Sequence, residues 1–271
     1  PDYIRLYTIR TFQEQFFMKP DEKANQIIGG IIAKYQEKYQ IQIFAYVVLS
    51  NHIHLLLRAP KQNLWNFAQE TNREIAQRVN RLIKRSGFFW ARRYDEQICL
   101  KDSDALEALL YIHCNPVSHS LVKDEKEFIF THHSKYTRAK RTNKQAKLSD
   151  YQTRHILRVS NLPEFEHLSE EAYREKIKKL TIERENQLII QRAKENKSFL
   201  GRKEVLKQSP FARSQNPKKS LRPLCYSKCL EAKKVFMSWY FTWWSDYKRA
   251  SARLRSGVMN TLFPEFCLKP P

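Results

Sequence analysis

The pattern of apolar and polar positions over residues 3–11 predicts a β-strand at the start of the first domain, with Tyr7 and Ile9 on one face and Ile4 and Leu6 on the other. The residues are mainly β-branched or aromatic, types that favour an extended backbone. Apolar side chains then recur at helical spacing between Ile27 and Tyr35. An amphipathic helix is therefore expected after the first strand.

Two further apolar runs predict a β-hairpin. Residues 41–49 and 52–58 are rich in β-branched, aromatic and leucine side chains, and residues 50–51 (Ser-Asn) supply a turn between them. Asn63 follows as a candidate N-cap for a long amphipathic helix that is expected to end near Lys84, before Ser-Gly.

A short fourth strand is predicted over residues 97–100. Asp102 then begins a helix with regularly spaced leucines, and this helix is expected to stop near Asn115 because Pro116 disfavours a helical residue before it. The resulting order is β-α-β-β-α-β followed by a helix. This order predicts an α+β fold, a ferredoxin-like split βαβ antiparallel sheet with helices packed on one face.

The composition supports a packed protein of ordinary size. The chain has 271 residues, of which 42% are hydrophobic and 13% aromatic, which excludes a disordered basic tail. No apolar run is long enough for a transmembrane helix, and no signal peptide is expected because the first residues lead directly into a strand pattern. Five cysteines without a pairing pattern favour reduced thiols, so a cytoplasmic location is expected.

The formal net charge of +21 indicates a polyanionic partner, most often a nucleic acid. Residues 1–150 hold 24 Lys and Arg against 16 Asp and Glu, whereas residues 197–271 hold 16 against 4. The last quarter therefore carries more than half of the excess. We predict a domain over residues 1–134, a basic linker over 135–150, and a mainly helical, basic C-terminal region over 151–271.

His52 and His54 are separated by one residue in a predicted strand, so both imidazoles project from the same face. Two adjacent imidazoles can chelate one divalent metal ion. The alternative is a pair of ordinary hydrogen-bonded histidines, but a buried sheet face has no packing reason to carry them. Leu55, Leu56 and Leu57 continue the strand as core residues.

Tyr111 and Asn115 lie four residues apart on a predicted helix and share one face. Asn115 offers an amide oxygen as a metal ligand, and Tyr111 offers a phenol one turn away. The alternative makes Tyr111 a core aromatic and Asn115 a helix C-cap before Pro116.

Residues 46–58 (YVVLSNHIHLLLR) and 111–122 (YIHCNPVSHSLV) together resemble the single-tyrosine HUH transposases, and within them the REP-associated tyrosine transposases. Residues 10–13 and 88–94 support the resemblance, which covers about residues 3–125. It implies that residues 1–134 form an HUH catalytic domain. Residues 151–271 match no family pattern.

The resemblance implies His52, His54 and Asn115 as ligands of a divalent ion, Mg²⁺ or Mn²⁺, and Tyr111 as the nucleophile. It implies cleavage and rejoining of single-stranded DNA beside a hairpin through a 5′-phosphotyrosine intermediate. We hold a non-catalytic hairpin-binding or regulatory protein, and a hydrolytic nuclease, as the alternatives. Association with the nucleoid, and either a monomer or a homodimer, are expected.

Basic residues in two regions are candidate DNA contacts. Those of the first domain and of the C-terminal region are Arg10, Arg92, Arg93, Arg202, Lys203, Lys207, Lys218 and Lys219. Five aromatic residues between Trp239 and Trp244 lie among further lysines and form either a surface that stacks on bases or the apolar side of a packed helix.

Overall fold

The computed structural model describes residues 2–19, 22–119, 121, 155, 157–195, 198–213 and 223–265. The predicted linker over 135–150, Lys218 and Lys219 lie outside these residues. The described residues form two compact units, one from Asp2 to Tyr226 and one from Ser227 onward.

The first unit contains a five-stranded sheet in the order β2-β3-β1-β4-β5. The first four strands are antiparallel to their neighbours and reproduce the predicted ferredoxin-like order. Their bounds are Arg5–Arg10 for β1, Gln42–Val48 for β2, His52–Arg58 for β3 and Asp95–Cys99 for β4. The predicted α+β fold class is confirmed.

Two helices of the split βαβ unit, α1 (Glu22–Tyr39) and α2 (Leu64–Leu82), pack on each other over one face of the sheet. The Tyr7 hydroxyl of β1 donates to Asn72 Oδ1 of α2 at 2.8 Å. The two helices therefore cover the face of the sheet to which Tyr7 points. Phe67 of α2 is completely buried in the core beneath.

The start of α2 differs in detail from the predicted cap. Asn63 occupies the N-cap position, but its side chain makes no capping hydrogen bond. Its amide instead donates to Tyr39 O at 2.9 Å, so it joins the start of α2 to the end of α1.

The opposite face of the sheet carries α3 (Asp102–His113) and the short helix α4 (Asn115–Ser118). The predicted helix ends two residues early because Pro116 lies in the first turn of α4, where its missing N–H costs nothing. The helix after the fourth strand therefore lies across the sheet from α1 and α2.

The chain after residue 155 adds helices to this unit, as the predicted helical C-terminal region requires. These are α5 (Glu170–Lys194) and α6 (Arg202–Lys207). Helix α5 packs on α3, with His113 Nδ1 3.1 Å from Thr181 Oγ1 and the Arg184 guanidinium 2.8 Å from the Glu107 carboxylate.

Both edges of the sheet receive residues from this later part of the chain. A two-residue strand, β5 (Cys225–Tyr226), pairs parallel with β4. At the other edge, the Ser160 N–H donates to Ile43 O of β2 at 2.8 Å, and Gln36 of α1 bonds the backbone of Arg158. No sequence pattern indicates β5, because two residues carry no periodicity.

The second unit is built on the 26-residue helix α7 (Leu230–Arg255). Its aromatic rings contact one another along the helix, and the Trp243 indole N–H donates to Glu265 O at 2.8 Å. Phe236 is buried, whereas Trp239 and Phe241 are 45% and 60% exposed, so the aromatic residues of this helix are only partly packed.

Among the described residues, none of the helices combines the length and the apolar character needed to cross a bilayer.

Replacing Phe67 with alanine should lower the free energy of unfolding by about 3–5 kcal/mol, because the fully buried ring leaves a cavity that its neighbours cannot fill. Urea unfolding measures the change. Phe88→Ala is the matched control, since that ring is 80% exposed and its loss should have little effect. Equal effects of the two substitutions would contradict the packing described here.

Candidate active site

The two histidines of β3 form the centre of the candidate site. Because strand side chains alternate, His52 and His54 project from the face that carries α3. Their ring centroids are 4.8 Å apart with the rings nearly perpendicular, and both side chains are buried. The structure therefore brings the pair together as the spacing predicts.

Each histidine has its Nδ1 atom bound by a neighbouring side chain. His52 Nδ1 lies 2.7 Å from Asn51 Oδ1, and His54 Nδ1 lies 2.8 Å from Thr8 Oγ1. The Asn51 oxygen can only accept, so His52 carries its proton on Nδ1 and its lone pair on Nε2. Partners of this kind orient metal-ligating histidines.

Tyr111 of α3 points its phenol at the second histidine. Its hydroxyl oxygen is 3.4 Å from His54 Nε2, and the two ring centroids are 5.3 Å apart. In the tautomer that leaves Nε2 free to bind a metal, the His54 Nδ1–H donates to Thr8 Oγ1 and Nε2 accepts from the Tyr111 hydroxyl. Tyr111 is half-buried, which leaves one side of the phenol accessible.

Asn115 begins α4, four residues after Tyr111, and is completely buried. Both amide atoms, Oδ1 and Nδ2, are buried without a hydrogen-bond partner among the described residues. A buried amide left in this state costs about 1–3 kcal/mol, so it requires an explanation other than packing.

A divalent ion would supply a partner for the amide oxygen of Asn115. In the part of the chain that the structure describes, no group of three or more His, Cys, Asp or Glu side chains could hold a metal ion. A site built at the histidine pair from the described residues would therefore draw on another ligand type. The orphaned amide oxygen of Asn115 is a suitable one, and two imidazoles with an amide oxygen fit Mn²⁺ or Mg²⁺.

A third imidazole, which is not among the predicted site residues, lies beside the pair. The ring centroid of His119 is 5.4 Å from that of His52, and the side chain is exposed. Its position four residues after Asn115 is the pattern that would have found it, because Tyr111, Asn115 and His119 are spaced one helical turn apart.

Tyr226 of β5 is a second phenol close to Tyr111, with ring centroids 6.3 Å apart. Burial raises the pKa of Tyr226 to about 12, and the nearby Arg184 guanidinium opposes this increase only in part. Tyr226 is therefore protonated at neutral pH. No sequence pattern indicated it, since its position depends on the pairing of β5 with β4.

Three predicted DNA-contacting arginines are grouped near the end of β1 that pairs with His52 of β3, which we call the histidine end of β1. Arg10 is the register partner of His52 and forms an ion pair with Glu14 at 3.2 Å. The Ala91 N–H donates to Arg10 O, which joins the loop carrying Arg92 and Arg93 to this end of the strand.

Both loop arginines are exposed, and each has a local contact. Arg92 forms an ion pair with Asp95 at 2.9 Å, and the Arg93 guanidinium lies over the Tyr94 ring at 5.4 Å. These contacts hold the loop side chains near the surface of the sheet end.

The remaining predicted DNA contacts that the structure describes belong to α6. This helix begins at Arg202 and includes Lys203, which is exposed, and Lys207, which pairs with Glu204 at 3.0 Å. These basic residues lie on a separate helix from the histidines and the tyrosine.

Comparison with known proteins finds similarity in the part of the chain that holds these residues. Residues 8–115 match the sequence model of the family described as Transposase IS200 like. The predicted resemblance to tyrosine transposases is confirmed. The matched region contains His52, His54, Tyr111 and Asn115, and we call it the transposase-like segment.

Two individual proteins are similar to this segment. A Haemophilus influenzae protein, named as a REP-associated tyrosine transposase, is 29% identical over 106 residues, which covers 35% of this chain and 60% of that protein. A solved structure of a REP-associated tyrosine transposase bound to a REP hairpin is 21% identical. It covers 48% of this chain and 76% of that chain, with a TM-score of 0.38.

Asn115→Leu should raise the free energy of unfolding of the metal-free protein by about 1 kcal/mol, because it removes a buried unsatisfied amide. It should also abolish the stabilisation that Mn²⁺ gives the unsubstituted protein. Urea unfolding with and without Mn²⁺ measures both effects.

Asn63→Leu is the matched control for this substitution. It removes the bond to Tyr39 O, so it should destabilise the protein and leave the response to Mn²⁺ intact. A metal response that survives in the Asn115 variant would exclude Asn115 as a ligand.

Proposed function

We propose that the chain is a metal-dependent, transposase-type DNA strand transferase that cleaves and rejoins single-stranded DNA beside a hairpin, with Tyr111 as its nucleophile. The observation that supports this most directly is the 3.4 Å approach of the Tyr111 hydroxyl to His54 Nε2. It brings a nucleophile to a pair of oriented imidazoles within a transposase-like segment.

His52 Nε2, His54 Nε2 and Asn115 Oδ1 are the atoms that would hold the divalent ion. When bound, the ion would polarise a non-bridging oxygen of the scissile phosphate and neutralise part of its charge. The protein's own contribution is orientation. Asn51 and Thr8 fix the imidazole rings, and α3 presents the phenol beside them.

In the proposed reaction, the Tyr111 hydroxyl oxygen attacks phosphorus and the bond from phosphorus to the 3′ oxygen breaks. The phenol loses its proton, the departing 3′ oxygen gains one, and the 5′ phosphate stays on Tyr111 as an ester. The ester conserves the energy of the broken bond, so a second 3′-hydroxyl can reverse the step without ATP. The outcome is strand transfer.

The basic residues account for attraction to DNA in this proposal. Arg10, Arg92 and Arg93 lie at the histidine end of β1, where they would contact phosphates next to the cleaved one. The net charge of +21 adds a long-range, salt-dependent attraction. A protein with this activity would work at the nucleoid in the cytoplasm.

Tyr111→Phe should abolish covalent attachment to a single-stranded hairpin oligonucleotide in the presence of Mn²⁺, because the attacking oxygen is gone. Binding of the oligonucleotide should persist, since the charged contacts remain. A denaturing gel detects the adduct, and a filter-binding titration gives the affinity.

Tyr226→Phe is the control, as it removes the neighbouring phenol and should leave adduct formation intact. An adduct that forms on the Tyr111 variant and disappears with the Tyr226 variant would reverse the assignment. A free 5′ phosphate without any adduct would instead indicate a hydrolytic nuclease.

Chelation by EDTA should eliminate the adduct while leaving hairpin binding unchanged, and added Mn²⁺ or Mg²⁺ should restore it. The physical reason is that a bound ion is required to neutralise the scissile phosphate, whereas the basic residues alone retain the DNA. Binding that ignores chelators, with no cleavage in any metal, would favour the non-catalytic hairpin-binding alternative.

A further inference from the structure

Helix α7 of the second unit exposes aromatic rings to solvent. Seven aromatic side chains lie between Phe236 and Tyr247, a stretch that the structure describes completely. Phe236 is buried, whereas Trp239, Phe241 and Trp244 are 45%, 60% and 38% exposed. Contiguous exposed apolar surface on a soluble protein marks a site of interaction. The packing of the helix within its own unit does not account for these rings.

Contacts between neighbouring rings hold the exposed ones in position. The Tyr240 and Trp244 rings are within 6° of parallel, with centroids 6.5 Å apart, and those of Trp244 and Tyr247 are within 12° at 5.5 Å. The Phe241 ring lies edge-on to Tyr240, with centroids 6.0 Å apart. Rings whose orientation is already set lose little conformational entropy when a flat group stacks on them.

Cationic side chains share one side of α7 with two of these rings. Lys234, Phe241, Lys248 and Arg255 are seven residues apart, close to two helical turns, and Trp244 lies one turn before Lys248. All five are exposed, and we call them the basic–aromatic stripe. The stripe extends for ~32 Å at ~1.5 Å per residue. Within it, Lys248 Nζ lies 5.5 Å from the centroid of the Trp244 ring.

The charge of α7 separates a second copy of the chain from a polyanion as the occupant of this stripe. The helix holds six Lys and Arg against two Asp and Glu, and one of the two acids, Asp246, forms an ion pair with Arg249. A second α7 would bring the same positive charge against the stripe and would be repelled. A polyanion would be attracted.

The positions of the rings separate a nucleic acid from a lipid surface. A helix that lies on a membrane buries one continuous apolar face. Trp239 and Phe241 are two residues apart, so they point to nearly opposite sides of α7. Proteins that bind single-stranded nucleic acids instead stack aromatic rings on unpaired bases beside cations that contact the backbone. The alternation of rings and cations along the stripe fits this second pattern.

We propose that the basic–aromatic stripe of α7 binds single-stranded DNA. Phe241 and Trp244 stack on unpaired bases, while Lys234, Lys248 and Arg255 contact phosphates. The proposal rests on the proposed function only for the choice of DNA as the nucleic acid. It assigns a DNA-binding role to a unit that lies outside the transposase-like segment. Because every base presents a π-face, this binding depends little on sequence.

Phe241→Leu in the full-length chain tests the stacking contact. The substitution keeps an apolar side chain and removes the flat ring, so affinity for a single-stranded oligothymidylate should fall ~10-fold. Phe241→Trp should retain the affinity. Trp239→Leu is the matched control, because it removes an exposed ring from the other side of the helix and should leave the affinity nearly unchanged.

The affinities are measured by fluorescence anisotropy of a labelled oligothymidylate. Every chain in the comparison also carries Tyr111→Phe, so that covalent attachment does not contribute. Thermal unfolding verifies that the variants remain folded.

The cations of the stripe are tested through the salt dependence of the same binding. Lys234→Gln with Lys248→Gln removes two phosphate contacts and should reduce the slope of log affinity against log salt by ~1.4. Arg249→Gln with Arg253→Gln removes the same charge from exposed residues outside the stripe and should leave the slope nearly unchanged.

Equal affinities of the Phe241→Leu and Trp239→Leu chains for the oligothymidylate would overturn the proposal, as would equal salt slopes for the two double variants. Self-association that Phe241→Leu abolishes, with oligothymidylate binding intact, would assign the stripe to contact between copies. Binding to phosphatidylcholine–phosphatidylserine vesicles with the same dependence would assign it to a membrane surface. Absence of a covalent adduct on the chain that retains Tyr111 would contradict the proposed function alone.

Discussion

Buried imidazoles have to be hydrogen-bonded, and this requirement organises the candidate site. His52 and His54 lie inside the sheet, where an unpaired ring nitrogen would cost free energy. Asn51 and Thr8 satisfy one nitrogen of each ring and thereby determine which nitrogen faces α3. The pairing of β1 with β3 places Thr8 opposite His54 and so supplies the Thr8 contact. The register of the sheet therefore determines how the His54 ring is oriented.

The same requirement is left unmet at Asn115. Natural proteins keep such defects mainly where function requires them, and stability then has to come from other parts of the fold. Here it comes from the apolar layer of α1 and α2 against the sheet, with fully buried residues such as Phe67 and Leu57. One side of the sheet is therefore optimised for packing, while the other carries polar groups that packing alone does not explain.

The sequence predicted what depends on local periodicity. Alternation along β3 placed His52 and His54 on one face, and the four-residue spacing placed Asn115 one turn beyond Tyr111. These patterns arise from backbone geometry, so neighbouring residues in the chain suffice to identify them. The order of the first four strands followed for the same reason.

Contacts between distant parts of the chain could not be predicted in this way. Tyr226 comes within reach of Tyr111 only because two residues pair with β4, and Thr181 reaches His113 only because α5 packs on α3. The transposase-like segment ends at residue 115, so no family pattern extends to these residues. Their positions depend on packing between segments that are distant in the sequence, and no short stretch of residues indicates such packing.

The treatment of the sheet edges has a consequence for how copies of the chain can associate. An open strand edge presents unpaired N–H and C=O groups to which a second molecule can add. In this protein β5 covers the edge at β4, and the backbone at Ser160 covers part of the edge at β2. The later part of the chain therefore occupies hydrogen-bonding positions at both edges of the sheet. A continuous sheet shared between two copies would first require these segments to detach.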